Sequence, residues 1–403
     1  MRINQYCTCD VANFGDVLYP SLFRHIAELS FENPDVRPHA FIPGKPALGG
    51  KFEVLPIRDL FQNDAAKHPL VIGGGDILRL DDLTVASHYL DPSTTLPSPQ
   101  SYSLQQGPYR VTYHLGSSPP TDPRRVFKIE RMPPVHGAFM LSPHNCPGAS
   151  SVAYFSAGVP FDFCKDECPQ VQAVFNEASF IYLRDEQSAE KLRKAGITRN
   201  IEVAPDIAVV ISDLFPKASL SDIALELLSE VGLSLNQPYL CFQVSQATTA
   251  SLPIIAQQLY DYSIRYGIPV VLLPLGLCHG DVYTLSRLAS VQPQHFKLVD
   301  AQSIREMLAI LAHAELFVGV SMHGNIAAFS YGVPHMFGVL GVDKISGAMT
   351  SLNLEPTQKL GDWNGLLTGL KELMNLDRTL LAKKQKAAKK QAYSVSERLL
   401  KSL

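Results

Sequence analysis

The chain has 403 residues, 46% hydrophobic and 18% charged, with 35 Lys and Arg against 38 Asp and Glu, a net charge of −3. That length predicts two domains of ordinary size. The composition excludes a disordered chain and gives no electrostatic basis for general nucleic-acid binding, although a local basic site for an anionic ligand is compatible with it.

The N-terminus, MRINQYCTCDVANFGD, lacks the long apolar stretch of a secretory signal, and no run approaches a membrane span. A cytoplasmic protein is expected. The seven cysteines fit reduced thiols in such a compartment. Cys7-x-Cys9 and Cys164-x3-Cys168 lie far apart, and no ordered His or Cys set completes a four-ligand metal site.

Residues 1–6 read as a short strand, and 14–29 as a helix opened by the turn Asn13-Phe14-Gly15-Asp16. Residues 70–72 form an apolar strand that runs into Gly73, Gly74, Gly75 and Asp76. Glycines in such turns let a ligand approach the backbone closely. Neither turn has the spacing of a dinucleotide fingerprint or a phosphate loop. From about 91 to 148 the pattern fails in Pro- and Ser-dense runs such as LDPSTTLPSPQ and SSPPTDPRR, which predicts a long irregular excursion on the substrate side.

Strands resume at 151–155, 180–183 and 201–204, with a helix over 186–195 stopped by Gly196. The strand at 180–183 ends in Arg184 and Asp185, with Ser188 one turn later. Arg184 offers a planar fork of donors for carboxylate or phosphate, or it pairs with an internal carboxylate. Asp185 caps the helix. Asp206 follows the next strand and is a candidate base or the partner of Arg184.

A junction falls near 213–237, after which the theme restarts. Strands are predicted at 239–244, 269–273, 296–299 and 316–319, and helices at 252–266 and 304–312. His279 and Asp281 sit in a loop after a strand and are suited to sugar hydroxyls. The strand at 316–319 runs into Ser321, Met322 and His323, and a small-residue helix begins near Gly324 and Asn325, ending at Gly332 and Pro334. The N–H groups at that helix start favour a phosphate or carboxylate, and His323 can carry a proton near neutral pH. The last 25 residues are helical and basic, with Lys383, Lys384, Lys386, Lys389 and Lys390 on what reads as a solvated face; contact with the inner face of an anionic membrane is the alternative.

Short apolar strands alternating with helices predict mostly parallel sheets covered on both faces. The expected fold class is α/β, with two Rossmann-like domains facing a central cleft. Residues 1–215 form the first, with the insertion at about 91–148, and residues 216–403 the second.

As an ordered set, these segments resemble the polysaccharide pyruvyl transferase family. Asn13, Gly15 and Asp16 match its N-terminal turn, and Gly73 to Gly75 its glycine turn. Arg184, Asp185 and Ser188 match its Arg-Asp-x-x-Ser stretch, and Pro205-Asp206 a turn after the next strand. His279 and Asp281 match a later loop, and His323, Gly332 and Pro334 its last motif. Many members carry an arginine where this chain has Ser321, which offers a hydrogen bond but no charge, so Arg184 would carry more of the anion recognition.

The resemblance implies a GT-B-like fold and transfer of a pyruvyl group from phosphoenolpyruvate to two hydroxyls of a sugar or lipid-linked glycan. It gives His323 the role of general acid, and Asp16 or Asp206 that of orienting or deprotonating the acceptor. Asn13, Gly15, Gly74, Gly75, Asp76, Arg184, Asp185, Ser188, His279, Asp281, Ser321, Gly324 and Asn325 are the candidate substrate-binding residues. No cofactor or metal is required by this scheme. A glycosyltransferase using a nucleotide sugar, with its diphosphate at the same helix start, is one alternative; an inactive glycan-binding relative is another.

Overall fold

Period-two alternation within the strands builds two sheets, each buried on both faces. In β4 (His68–Gly75) Leu70 and Ile72 face one core while Val71 faces another. The same alternation separates Leu240 and Phe242 from Cys241 in β11 (Leu240–Gln243), and Leu316 and Val318 from Phe317 in β14 (Leu316–Gly319). The computed structural model describes residues 1–40, 43–62, 67–78, 101–106, 109–114, 127–131, 139–339 and 344–403.

Among the described residues, the first sheet contains β1 (Arg2–Tyr6), β2 (Asp35–Ala40), β3 (Leu55–Pro56), β4, β8 (Ala149–Ala157), β9 (Phe180–Leu183) and β10 (Glu202–Val203). Its order is β10-β9-β8-β4-β1-β2-β3, parallel throughout. The second sheet has the order β13-β12-β11-β14-β15, also parallel, with β12 at Val270–Leu272, β13 at Phe296–Leu298 and β15 at His335–Phe337. Both chains of strands start in the middle, run to one edge, then return and continue to the other. This is the doubly wound pattern, which leaves a crevice at the carboxyl ends where the order reverses. The crevice lies between β1 and β4 in the first sheet and between β11 and β14 in the second.

Part of the stretch expected to be irregular is ordered. β5 (Ser101–Gln106), β6 (Tyr109–His114) and β7 (Phe127–Arg131) pair antiparallel in the order β5-β6-β7. Short runs such as YRVTYH carry enough β-branched and aromatic residues to form strands, and the Pro-rich segments around them hid the pattern. The expectations for residues 79–100, 107–108, 115–126 and 132–138 lie outside the described residues.

The two sheets are tied together by more than a linker. In the first unit, helix α1 (Phe14–Ser30) packs on the sheet, with α2 (Cys168–Asn176) and α3 (Glu186–Lys194) further along the chain. In the second unit the helices are α4 (Ser221–Glu230), α5 (Leu252–Tyr266), α6 (Asp281–Val291), α7 (Ile304–His313), α8 (Met322–Ser330), α9 (Lys344–Ser351) and α10 (Leu366–Met374). One hydrophobic core includes Val17, Leu22 and Phe23 of α1, Ile207 to Ile211, and Met307, Ile310, Ile326 and Phe329 of α7 and α8.

Every residue of α8 is buried, the signature of a helix enclosed by protein. The last helix, α11 (Arg378–Lys401), begins beside the second sheet and returns to the first unit. There Tyr393 meets His25 at 3.3 Å and Arg398 pairs with Glu202 at 3.1 Å. Of the lysines read as a solvated face, Lys389 pairs with Asp213 at 2.6 Å and Lys384 with Glu355 at 2.5 Å. Among the described residues, no helix is long and apolar enough to cross a membrane.

Candidate active site

The two crevices open onto one cavity of about 760 Å³. Its wall combines Thr8, Asn13 and Asp16 after β1, Gly75 at the end of β4 and Asp76 after it, and Arg184 after β9 with residues of the second unit. Gln243 ends β11 and Ser245 and Gln246 follow it, His279 and Asp281 follow β12, and Ser321 and His323 follow β14. The loops of the two units meet directly. Phe14 N donates to Leu275 O at 2.9 Å, Cys278 N donates to Ala12 O at 3.2 Å, and Asn13 forms an antiparallel bridge with Gly276.

The floor of the cavity is a buried charge cluster. The Arg184 side chain is 3% exposed and lies 2.5 Å from Asp76, 3.6 Å from Asp185 and 3.7 Å from Asp206. Burial disfavours its charge, but Asp76 and Asp206 lead a set of neighbours that outweighs this and keeps it cationic. Arg184 is thus committed to internal carboxylates while still reaching the cavity wall.

Asp206 lies beneath, 4% exposed, and caps the turn at Ile207–Val210 by accepting from Ala208 N at 2.9 Å. Burial alone would raise its pKa. His323, the Arg184 charge and the Ala208 N–H reverse that and hold it below the usual carboxylate range.

Between Asp206 and His323 stands Tyr19, which the sequence reading did not single out. The Tyr19 hydroxyl is 2.7 Å from Asp206 and 3.0 Å from His323 Nε2. Burial, and then the Asp206 charge, push the phenol well above its usual range, so it keeps its proton and donates it to the carboxylate. The phenol oxygen therefore accepts from His323, which places a hydrogen on Nε2. His323 and Asp206 themselves are 3.7 Å apart, so their hydrogen-bonded link runs through Tyr19. Tyr19→Phe keeps the ring but cuts this link. It should lower turnover roughly 10- to 100-fold, part of the 10²–10⁴ that a positioned acid or base contributes, and move the alkaline limb of the pH–rate profile, along which a general acid loses its proton. An unchanged profile would assign Tyr19 to packing alone.

Two glycines make this arrangement possible. Gly15 is the point where α1 passes under the histidine, and a Cβ there would sit 1.9 Å from His323 Nδ1. Gly74 has φ +96, in the left-handed region, and a Cβ on it would strike the Tyr19 ring at 2.3 Å. Gly15→Ala is therefore expected to displace His323. Steady-state assays should show a loss of at least about tenfold in kcat, while circular dichroism reports an intact α/β fold.

The remaining predicted residues divide into two groups. Asp16 faces the cavity and accepts from Thr8 Oγ1 at 2.6 Å and Asn13 Nδ2 at 2.7 Å. Asp281 is fully buried and accepts from Gln243 at 2.7 Å, Gly276 N at 2.8 Å and Leu275 N at 3.1 Å. Burial nevertheless pushes its carboxyl up to about 6. Gln243 also accepts from Ser321 N at 2.8 Å, so one amide ties three cavity loops together. Ser321 caps α8 by accepting from Gly324 N at 3.1 Å.

The second group lies off the cavity wall. Asp185 caps α3 through Ser188 N at 2.7 Å, and Ser188 Oγ accepts from Val159 N at 3.0 Å. Asn325 is fully buried and donates to Gly319 O and Ser321 O at 2.8 and 2.9 Å. Gly324 lets Leu275 and Phe317 close on α8.

The starts of α1, α6 and α8 all border the cavity. Their partial positive charge favours an anion in a space otherwise lined by Asp16, Asp76 and Asp281. Among the described residues no group of three or more His, Cys, Asp or Glu is arranged to hold a metal ion.

Two Rossmann-like units facing a shared cleft make this a protein of GT-B-like fold. Solved structures carry the same fold. UDP-GlcNAc 2-epimerase from Neisseria meningitidis bound to UDP-GlcNAc superposes with TM-score 0.52 at 9% identity, covering 100% of this chain and 99% of that one. UDP-GlcNAc 2-epimerase from Methanocaldococcus jannaschii gives 0.50 at 12% identity, covering 94% of each chain. Residues 150–337 match the profile of the polysaccharide pyruvyl transferase family. That span holds Arg184, Asp206 and His323. No curated protein sequence matches the chain.

Proposed function

We propose that the protein transfers a pyruvyl group from phosphoenolpyruvate to two hydroxyls of one sugar in a glycan, giving a cyclic ketal and inorganic phosphate. The observation that supports this reading is the His323–Tyr19–Asp206 relay, whose histidine lines the cleft at the start of α8 while Tyr19 and Asp206 stand buried behind it. The chemistry needs a proton for the methylene carbon of the enol while a sugar hydroxyl bonds to the adjacent carbon. The carbon–oxygen bond to phosphate then breaks, the second hydroxyl attacks the resulting oxocarbenium carbon, and its proton is released. His323, held in place by Tyr19 and Asp206, supplies the first proton or meets the leaving phosphate.

The starts of α8 and α6 take the two anionic groups of the donor. Asp16 orients or deprotonates the attacking hydroxyl from the opposite wall. Arg184 holds Asp76 and Asp206 in place and adds positive potential beneath the donor.

The test is incubation of purified protein with phosphoenolpyruvate and a panel of glycan acceptors. Phosphate release should be matched by a product heavier than the acceptor by pyruvate less water. The epimerase relatives suggest the competing ligand: stabilisation by UDP-GlcNAc in a thermal-shift assay, with none by phosphoenolpyruvate, would replace this reading with a nucleotide-sugar reaction.

A further inference from the structure

We infer that Phe161 and the carboxylates of Asp16 and Asp76 form the acceptor subsite, a platform for the apolar face of a pyranose ring. The inference rests on the proposed glycan acceptor and adds where the ring lies. Phe161 is 54% exposed and lines the same cavity as Asp16, Asp76 and His323. A single exposed apolar side chain is ordinary; the stem that holds this one is not.

Every backbone polar group from Gly158 to Pro160 is engaged. Gly158 N donates to Gly75 O at 2.8 Å, and Leu78 N donates to Gly158 O at 3.1 Å. Val159 N donates to Ser188 Oγ at 3.0 Å, and Lys191 Nζ donates to Val159 O at 2.9 Å and Pro160 O at 3.2 Å. Pro160 has no N–H to satisfy. A Cβ on Gly158 would meet Asp76 Oδ1 at 2.3 Å and Arg184 Nε at 2.8 Å, so the stem is fitted directly onto the charge cluster. α3 thus braces a rigid loop through Ser188 and Lys191, and the loop presents a phenyl ring beside the carboxylates.

That combination matches a sugar. One face of a pyranose shows C–H groups that pack on an aromatic ring, while its edge carries hydroxyls that donate to carboxylates. Asp16 uses each oxygen once, for Thr8 and Asn13, and a carboxylate oxygen can accept a second hydrogen bond. Asp76 gives one oxygen to Arg184 and its side chain remains 24% exposed. A neutral sugar tolerates this acidic wall, whereas the anionic donor is directed to the opposite wall by the start of α8.

The experiment measures binding of the methyl glycosides of glucose, galactose, mannose and N-acetylglucosamine to the full chain by ligand-observed NMR, with no donor present. The wild type and Phe161→Trp should bind at least one of them, and Phe161→Ala should bind it at least about tenfold more weakly at unchanged melting temperature. Indole fluorescence of the Trp variant should respond to the same glycoside. Equal binding by Phe161→Ala and wild type, or no binding of any probe by wild type, overturns the inference. Phe161-dependent sugar binding without consumption of phosphoenolpyruvate upholds the subsite and refutes the pyruvyl reaction. Turnover with an acceptor KM indifferent to Phe161→Ala refutes the subsite alone.

Discussion

Replacing His323 with alanine is expected to lower phosphate release from phosphoenolpyruvate by roughly 10²- to 10⁴-fold, the usual contribution of a positioned acid or base. The loss should fall mainly on kcat, because the donor's charges are met by helix starts that the substitution leaves in place. His323→Gln is the sharper variant. It keeps a donor that can reach the Tyr19 oxygen and fills a similar volume, but it carries no titratable proton. If turnover by the glutamine variant matched wild type, His323 would be a packing residue and the proposed proton transfer would be lost. If both variants lose turnover and still melt as the wild type does, the role is chemical.

The second large effect is expected at Arg184. Methionine there removes the positive charge that Asp76, Asp185 and Asp206 share, and leaves Asp206 in a site 4% exposed. Breaking one partner out of a buried ion pair costs about 3–5 kcal/mol, so urea unfolding of Arg184→Met should show a loss of that order at pH 7.

The pH dependence carries the mechanism. In the wild type, Asp206 has a folded pKa below its unfolded value. Its contribution is therefore fully present above the unfolded value, near pH 4, and fades as pH falls through the folded value. Without Arg184, one of the groups that offset burial is gone while His323 and the Ala208 N–H remain, so the folded pKa rises toward its unfolded value and the contribution of Asp206 shrinks. The difference between wild type and variant should be smallest in acid and largest near neutrality. A constant difference across pH 3 to 7 would show that Arg184 acts through packing rather than charge.

How legible these features were depended on how local their cause was. The strands at Phe180–Leu183 and Leu316–Gly319, and the helix at Leu252–Tyr266, follow from unbroken apolar or periodic runs with clear stops. β2 escaped because DVRPHA places two charges and a proline in a strand, and β15 because three residues after a Gly-x-Pro turn carry too little pattern. Asp16 and His323 could be named because each follows a strand and opens a helix, and Gly75 because it ends an apolar strand in a run of glycines.

Tyr19 could not. It lies one turn beyond Asp16 in α1, where a buried aromatic at helical spacing reads as core. Only the docking of α1 against α8 and the Asp206 turn reveals its second role. Arg184 had two readings in the sequence. The choice depended on Asp76, which arrives from 108 residues away.

The relay straddles the joint between the two halves of the molecule. Tyr19 and Asp206 belong to the first unit and His323 to the second, and the hydrogen bond that links them is 3.0 Å long, beside an edge-on contact of the Tyr19 and His323 rings. Such a bond weakens steeply once the atoms part by more than a few tenths of an ångström. A gap of about 1 Å, too small to admit a sugar, already disconnects the imidazole from its carboxylate. The hydrophobic core that packs α1 against α8 is therefore also what holds the imidazole in register with its carboxylate.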